Sequence, residues 1–322
     1  MTWDRRRGLR GNLSGTTPSG NGAESSYYSR PVLKEPVWKP EIAIYFFSGG
    51  LAGASAGLAF LTRLRGNGVL ARRALVGALA AVAISPPLLV ADLGKPMRFL
   101  NMFRVFKPTS PMSMGSWLLG AFGASLGGAV AGELVAPLRL LGRIAEGGAA
   151  LLGLPLTTYT AVLVSDTSVP VWHGARRHLP FVFAGSAAAS AGGLAAALTP
   201  VRHAGPARRL ALFGAVTELA GVQLMEARLG DAATPYQRGR AVLPARLAKV
   251  ATASGAALML AAGRRRPAAV GAGLLLLGGS LSQRFAVVLS GRDSAALLHG
   301  FGRTDLRGSA IDASAMTERG TS

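Results

Sequence analysis

The 322-residue sequence predicts an all-α, polytopic membrane protein with about eight transmembrane helices. Three observations carry that expectation. Eight apolar stretches of roughly 19–24 residues succeed one another, each long enough to cross a hydrocarbon core of about 30 Å. Half of the chain is hydrophobic, the mean hydropathy is +0.35, and there are 43 glycines, the composition of helices that pack closely in lipid. The net charge of +20 falls in the gaps between apolar stretches, so it reads as membrane topology and not as a nucleic-acid footprint.

Residues 1–40 are polar. RRRGLRGN near the start is followed by no apolar core, so it does not read as a cleaved export signal. Gly, Ser, Thr and Asn dominate as far as Ser26, the composition of a disordered segment. YYSRPVLKEPVWKP (27–40) mixes Tyr, Trp, Lys and Pro, as a chain does along the headgroup layer before its first span. Spans are expected at 41–62, 72–91, 115–136, 144–165, 179–199, 208–229, 246–263 and 268–289. In the first, Gly49, Gly53 and Gly57 fall on one face, and Gly123 with Gly127 and Gly128 with Gly132 do the same in the third. The expected division is an N-terminal segment 1–40, a membrane domain 41–290 and a loosely ordered polar tail 291–322.

The connection after the second span is unlike a simple loop. DLGKPMRFLNMFRVFKPTSPMSMGSW (92–117) holds Asp92, the cations Lys95, Arg98, Arg104 and Lys107, and three prolines. Apolar residues at 99, 102, 103 and 106 follow helical spacing, which predicts a short amphipathic helix on the membrane face, ended by Pro108.

Loop charge orients the bundle. The connections after spans one, three, five and seven carry Arg63, Arg65, Arg72, Arg73, Arg139, Arg143, Arg202, Arg208, Arg209 and Arg264 to Arg266 without an acidic residue between the spans. The positive-inside rule predicts that these loops face the cytoplasm, leaving both termini and the 92–117 stretch outside. Tyr45, Asp92, Ser113, Trp117, Tyr159, Asp166 and Arg284 then gather toward the outer face, Glu133 and Glu146 lie at the inner face, and Glu218 lies near mid-depth with Glu226 two turns further out.

Ionisable groups inside a membrane are costly and therefore candidate functional sites. Each also has a structural reading. Asp92 suits a turn before Gly94 and Pro96, and Tyr45 and Trp117 suit an aromatic belt. Arg284 suits an ion pair with Glu226 or Asp166, and Glu133 and Glu146 suit helix ends that reach water. Glu218 is protonated, paired, or on a polar path. The four histidines (His173, His178, His203, His299) fall in loops or the tail, so no haem held by helix histidines is expected. No metal site is expected. With no cysteine, the chain offers no thiolate for an iron–sulfur cluster.

The 92–117 stretch resembles the signature of the NrfD/PsrC family, membrane subunits of polysulfide reductase and related molybdopterin oxidoreductases. YYSRPVLKEPVWKPEIAIYFFSGGLAG, TYTAVLVSDTSVPVWHGARRHLPFVFAGSA and ELAGVQLMEARLG extend the resemblance over most of 27–290. It implies eight spans in two four-helix bundles, forming a quinone-reactive anchor without haem or iron–sulfur cluster of its own. The expected substrate is menaquinone or ubiquinone. The expected partners are a ferredoxin-like iron–sulfur subunit and a molybdopterin catalytic subunit, polysulfide reductase- or formate dehydrogenase-like, docked at Lys95, Arg98, Arg104 and Lys107. Tyr45 and Asp92 would face the quinone, with Ser113, Trp117, Tyr159 and Asp166 around them. Glu218, Glu133 and Glu146 would form a proton path. Well-known members place a histidine of the first span at the quinone, and 41–62 has none. Two other readings stand beside this one. A transporter would bind substrate at Glu218 and Arg284, although no inverted repeat is visible. A passive anchor would tether a partner without quinone chemistry.

Overall fold

The computed structural model describes Trp38, residues 40–92 and residues 101–319, with 91–92 and 297–319 as backbone only. Expectations for residues 1–37, for Lys95 and Arg98 and for the Asp92 side chain lie outside the described residues. The described chain is helical and contains no strand. Eight long helices correspond one to one with the expected spans: α1 (Glu41–Leu64), α2 (Gly68–Asp92), α3 (Pro111–Leu134), α4 (Arg139–Ser165), α5 (Leu179–Leu198), α6 (Gly205–Leu229), α7 (Val242–Ala262) and α8 (Arg266–Arg319). All eight are apolar enough to cross a membrane, α8 over Arg266–Ala296. From 297 to 319 only the backbone is described, and it is helical. No proline interrupts 291–319, and alanine, leucine and arginine recur there.

Local chemistry sets the helix ends. Gly66, at φ +77°, closes α1: its N–H donates to the Arg63 carbonyl (2.9 Å) while Asn67 N–H reaches back to Thr62 (2.9 Å), satisfying carbonyls that the helix end leaves free. Ser110 caps α3, and prolines occupy the first turn of α3, α5 and α6. Inside spans, Pro86 and Pro87 of α2 and Pro155 of α4 remove backbone donors, which neighbouring hydroxyls and helices make tolerable in a membrane. Ser85, beside the first of these, bonds the Ser48 hydroxyl of α1 at 2.8 Å.

Helix α1 packs on α2 and α4, and α3 packs on α4; α5 packs on α6, and α6 on α7. Helix α8 joins the second set through Gly193 against Gly273 and through the Ser186–Ser280 hydroxyl pair at 2.7 Å. Across the two sets α5 touches α1, α2 and α4, and Arg284 of α8 lies against Gly50 of α1; α1 and α5 are the most buried spans. Close approach depends on glycine at specific crossings. Gly53 meets Gly153 backbone to backbone between α1 and α4, Gly132 meets Gly142 between α3 and α4, and Gly214 meets Gly185 and Ala189 between α5 and α6. The expected strips are used only in part: Gly49, Gly57, Gly123 and Gly127 have no neighbour where a Cβ would sit.

A Gly214→Val side chain would collide with the α5 backbone, so it should destabilise the detergent-solubilised protein by about 1–3 kcal/mol or more. Gly123→Val meets open space and should leave the thermal unfolding midpoint unchanged.

Candidate functional site

Tyr45 lies on the second turn of α1 and is buried, and Tyr159 lies near the far end of α4 and is half-buried. The Gly53–Gly153 crossing, about two turns away from each, brings them to the same level of the bundle. They are within electrostatic reach of each other. The Tyr159 ring rests on the backbone of Gly115 in α3, where any side chain would overlap the ring and its hydroxyl. Two phenols thus meet at the junction of α1, α3 and α4. Tyr45 lies within protein, where a belt aromatic would lie in lipid.

Beside them, residues 101–110 form a strap over the start of α3. The Val105 carbonyl accepts from Ser113 Oγ (3.0 Å) and from Trp117 Nε1 (3.4 Å), and the Lys107 N–H donates to Ser113 Oγ (3.1 Å). Phe103 and Phe106 set their edges against Trp117 at 5.6 and 5.9 Å. Where an amphipathic helix is expected through Phe106, Asn101 is the last helical residue. A turn and an extended segment follow, because the backbone bonds to α3 side chains and both aromatics fold onto one indole. Ser113 and Trp117 act here as the posts that hold the strap. A groove of about 240 Å³ runs between strap and α3, lined by Met102, Val105, Lys107, Met112 and Ser116 among others. Arg104 and Lys107 are exposed, as is Asp166 at the end of α4.

At the opposite, arginine-rich end, Glu133 of α3 and Glu146 of α4 are bound into one ion-pair network. Arg63 of α1 reaches Glu133 at 2.9 Å and Glu146 at 2.6 Å, and Arg72 of α2 adds a bond to Glu133 at 3.3 Å. Two cations and two carboxylates therefore tie all four helices of the first set. Water-exposed helix ends were the alternative for these carboxylates; instead Glu146 is buried.

Glu218 and Arg284 form a second, separate centre among α5–α8. Both are buried, and they attract each other electrostatically. Thr252 of α7 donates to Glu218 at 3.4 Å, and the Ser186 hydroxyl of α5 lies near the carboxyl. Arg284 donates Nη2–H to the Phe183 carbonyl (3.0 Å) and lies 3.6 Å over the Phe183 ring. This corrects the expected Arg284–Glu226 pair. Lys249 takes Glu226 at 2.7 Å, because Lys249 lies one turn of α7 outward from Thr252 and is level with Glu226. Arg284, one turn beyond Ser280, faces α5.

Sequence reasoning missed Trp172. The short helix Pro170–Gly174 buries it, with Nε1 donating to the Val287 carbonyl at 2.7 Å and its ring stacked on Trp38 at 5.1 Å. Pro170 followed by an aromatic was the available signal, but only Gly291 of α8, against which the indole lies, explains its depth. Among the described residues, no group of three or more His, Asp or Glu side chains is placed to share a metal ion.

Arg63→Met should leave buried Glu146 without its cation and lower stability by about 3–5 kcal/mol. Arg72→Met removes an exposed partner and should change the same unfolding measurement by less than about 1 kcal/mol.

The sequence matches the family described as polysulphide reductase, NrfD, over residues 30–229. No curated protein matches the chain. The matched region runs from the segment before α1 to the end of α6 and so includes the tyrosine pair, the strap and Glu218. With eight apolar spans and a match over more than half of its length, this multi-pass membrane protein belongs to the NrfD family, membrane subunits of quinone-linked oxidoreductase complexes.

Proposed function

We propose that the chain is the quinone-reactive anchor of such a complex. It exchanges electrons between the menaquinone or ubiquinone pool and a docked ferredoxin-like iron–sulfur subunit. That subunit in turn serves a molybdopterin catalytic subunit of polysulfide reductase- or formate dehydrogenase-like type. The observation that carries this reading is the phenol pair at the α1–α3–α4 junction, next to a largely apolar groove under a strap.

Quinone turnover couples electron transfer to proton exchange at two carbonyl oxygens, so the protein must present donors at those oxygens and a route for protons. The Tyr45 hydroxyl supplies a donor from within the bundle, with Tyr159 as its neighbour. Asp92, the last residue of α2, exchanges the proton, and exposed Asp166 passes it to water. Ser113 and Trp117 act by holding the strap in place. With no cysteine in the chain, electrons enter or leave through the partner, which must dock near this end. Exposed Arg104 and Lys107, with Lys95 and Arg98 in the same stretch, suit an acidic partner face. The arginine-rich loops face the cytoplasm in this reading, and the strap and both termini face outward. Glu218 is an inner proton-exchanging group, and Glu133 and Glu146 mark the cytoplasmic end of that route.

In reconstituted complex, Asp92→Asn and Tyr45→Phe should each lower quinone-linked turnover by roughly 10²-fold or more while the subunits still co-purify. Wild-type turnover in both variants would reduce the chain to a passive tether. Charge reversal at Arg104 and Lys107 should weaken co-purification of the iron–sulfur subunit, most visibly at low salt.

A further inference from the structure

Gly49 is buried in α1, yet a Cβ at that position would meet no atom of the neighbouring helices within 4 Å. Open space beside a buried residue is a gap in a bundle whose interior is otherwise close-packed. Thr160 of α4 is 1% exposed, and its Oγ1 has no hydrogen-bond partner. A helical threonine ordinarily returns its hydroxyl to the carbonyl three or four residues earlier, as Thr62 does to Leu58 and Thr157 to Leu154, both at 2.7 Å. Thr160 forgoes that bond. The Gly53–Gly153 contact fixes where the two features lie. Gly49 is one turn of α1 outward from it on the same stripe, and Thr160 two turns of α4 outward, at about 6 and 10 Å along the helices. The two helices run in opposite directions, with Arg63 on Glu146 at one end and Tyr45 near Tyr159 at the other. Side chains lean toward the N-terminus of their own helix. The Thr160 side chain therefore leans back toward Gly49, and the space at Gly49 opens outward toward Tyr45, one turn away.

We infer that the gap at Gly49 receives the quinone headgroup, and that the Thr160 hydroxyl donates to one of its carbonyl oxygens while Tyr45 serves the other. This rests on the quinone-reactive reading above and adds to it a binding residue and a depth. A lipid tail would fill the gap but leave the Thr160 hydroxyl unpaired, which is costly inside a bundle. A quinone brings both a flat ring to fill the space and carbonyls to accept the bond. Glycine at 49 leaves room for that ring. One turn further in, the backbone contact of Gly53 with Gly153 closes the gap and sets how far the ring can enter. Thr160 is thus a headgroup-binding residue, and Gly49 is the residue whose missing side chain admits the ring.

The test uses the reconstituted complex with short-chain ubiquinone and menaquinone analogues as probes. Thr160→Val keeps the shape of the side chain and removes no bond within the protein, so its unfolding midpoint should match the wild type. It should raise KM by roughly 3- to 10-fold with kcat nearly unchanged, as expected for one hydrogen bond lost from binding. Thr160→Ser should restore the wild-type KM. In infrared difference spectra, an isotope-labelled carbonyl of the bound analogue should move toward its unbonded frequency in Thr160→Val, a change that a merely structural role would not produce. Gly49→Val fills the gap and should raise KM further. An unchanged KM and carbonyl band in Thr160→Val, or an unchanged KM in Gly49→Val, would overturn this assignment and leave the quinone-reactive reading standing. A wild-type complex that neither binds nor turns over either analogue would remove that reading, and this inference with it. The Thr160→Val spectrum decides the matter even where Gly49→Val fails to fold.

Discussion

A guanidinium inside an apolar helix bundle must find its counter-charge from other helices of the same bundle, because neither lipid nor bulk water can supply it. Each half of this protein meets that constraint once. In α1–α4 the cation is Arg63, with Glu133 and Glu146 from two other helices. In α5–α8 it is Arg284, with Glu218 across the bundle and the Phe183 ring beneath it. Both arrangements fix the rotation of the helices about their own axes. A helix turned by one residue, roughly 100°, would aim its charge at lipid.

Close packing makes such pairing geometrically available. Gly53 with Gly153, Gly132 with Gly142, and Gly185 with Gly214 let the backbones approach until short side chains can meet across the seam. The same crossings position the phenol pair. Tyr45 and Tyr159 are neighbours because α1 and α4 touch two turns away, and Tyr159 reaches α3 because residue 115 is glycine. The ionic centres and the phenol pair thus depend on one set of contacts.

The two ends of the bundle differ in kind. The arginine-rich end is tied by side chains: beside the Arg63 network, Asn67 donates to the His203 carbonyl (2.8 Å), and Arg266 to that of Thr199 (2.8 Å). The opposite end is built of strap, groove and aromatic stack, with cations left exposed. Exposed charge next to an apolar groove is what a docking and small-molecule surface needs, whereas a neutralised network holds helices together.

Hydropathy and loop charge determined the number of spans, their order and their approximate ends, because burying a run of some twenty residues in lipid is a local property of the chain. The motif around Asp92–Trp117 was likewise legible, and with it the family. Pairing was not. The tertiary structure alone decided that Arg284 faces Glu218 and leaves Glu226 to Lys249. It decided that Glu133 and Glu146 share Arg63, and that Ser113 and Trp117 hold a strap by bonding one carbonyl. These outcomes depend on how each helix is rotated and at what depth it crosses its neighbours. That is set by packing between residues more than a hundred positions apart, such as Phe183 and Arg284, and no window of sequence contains it.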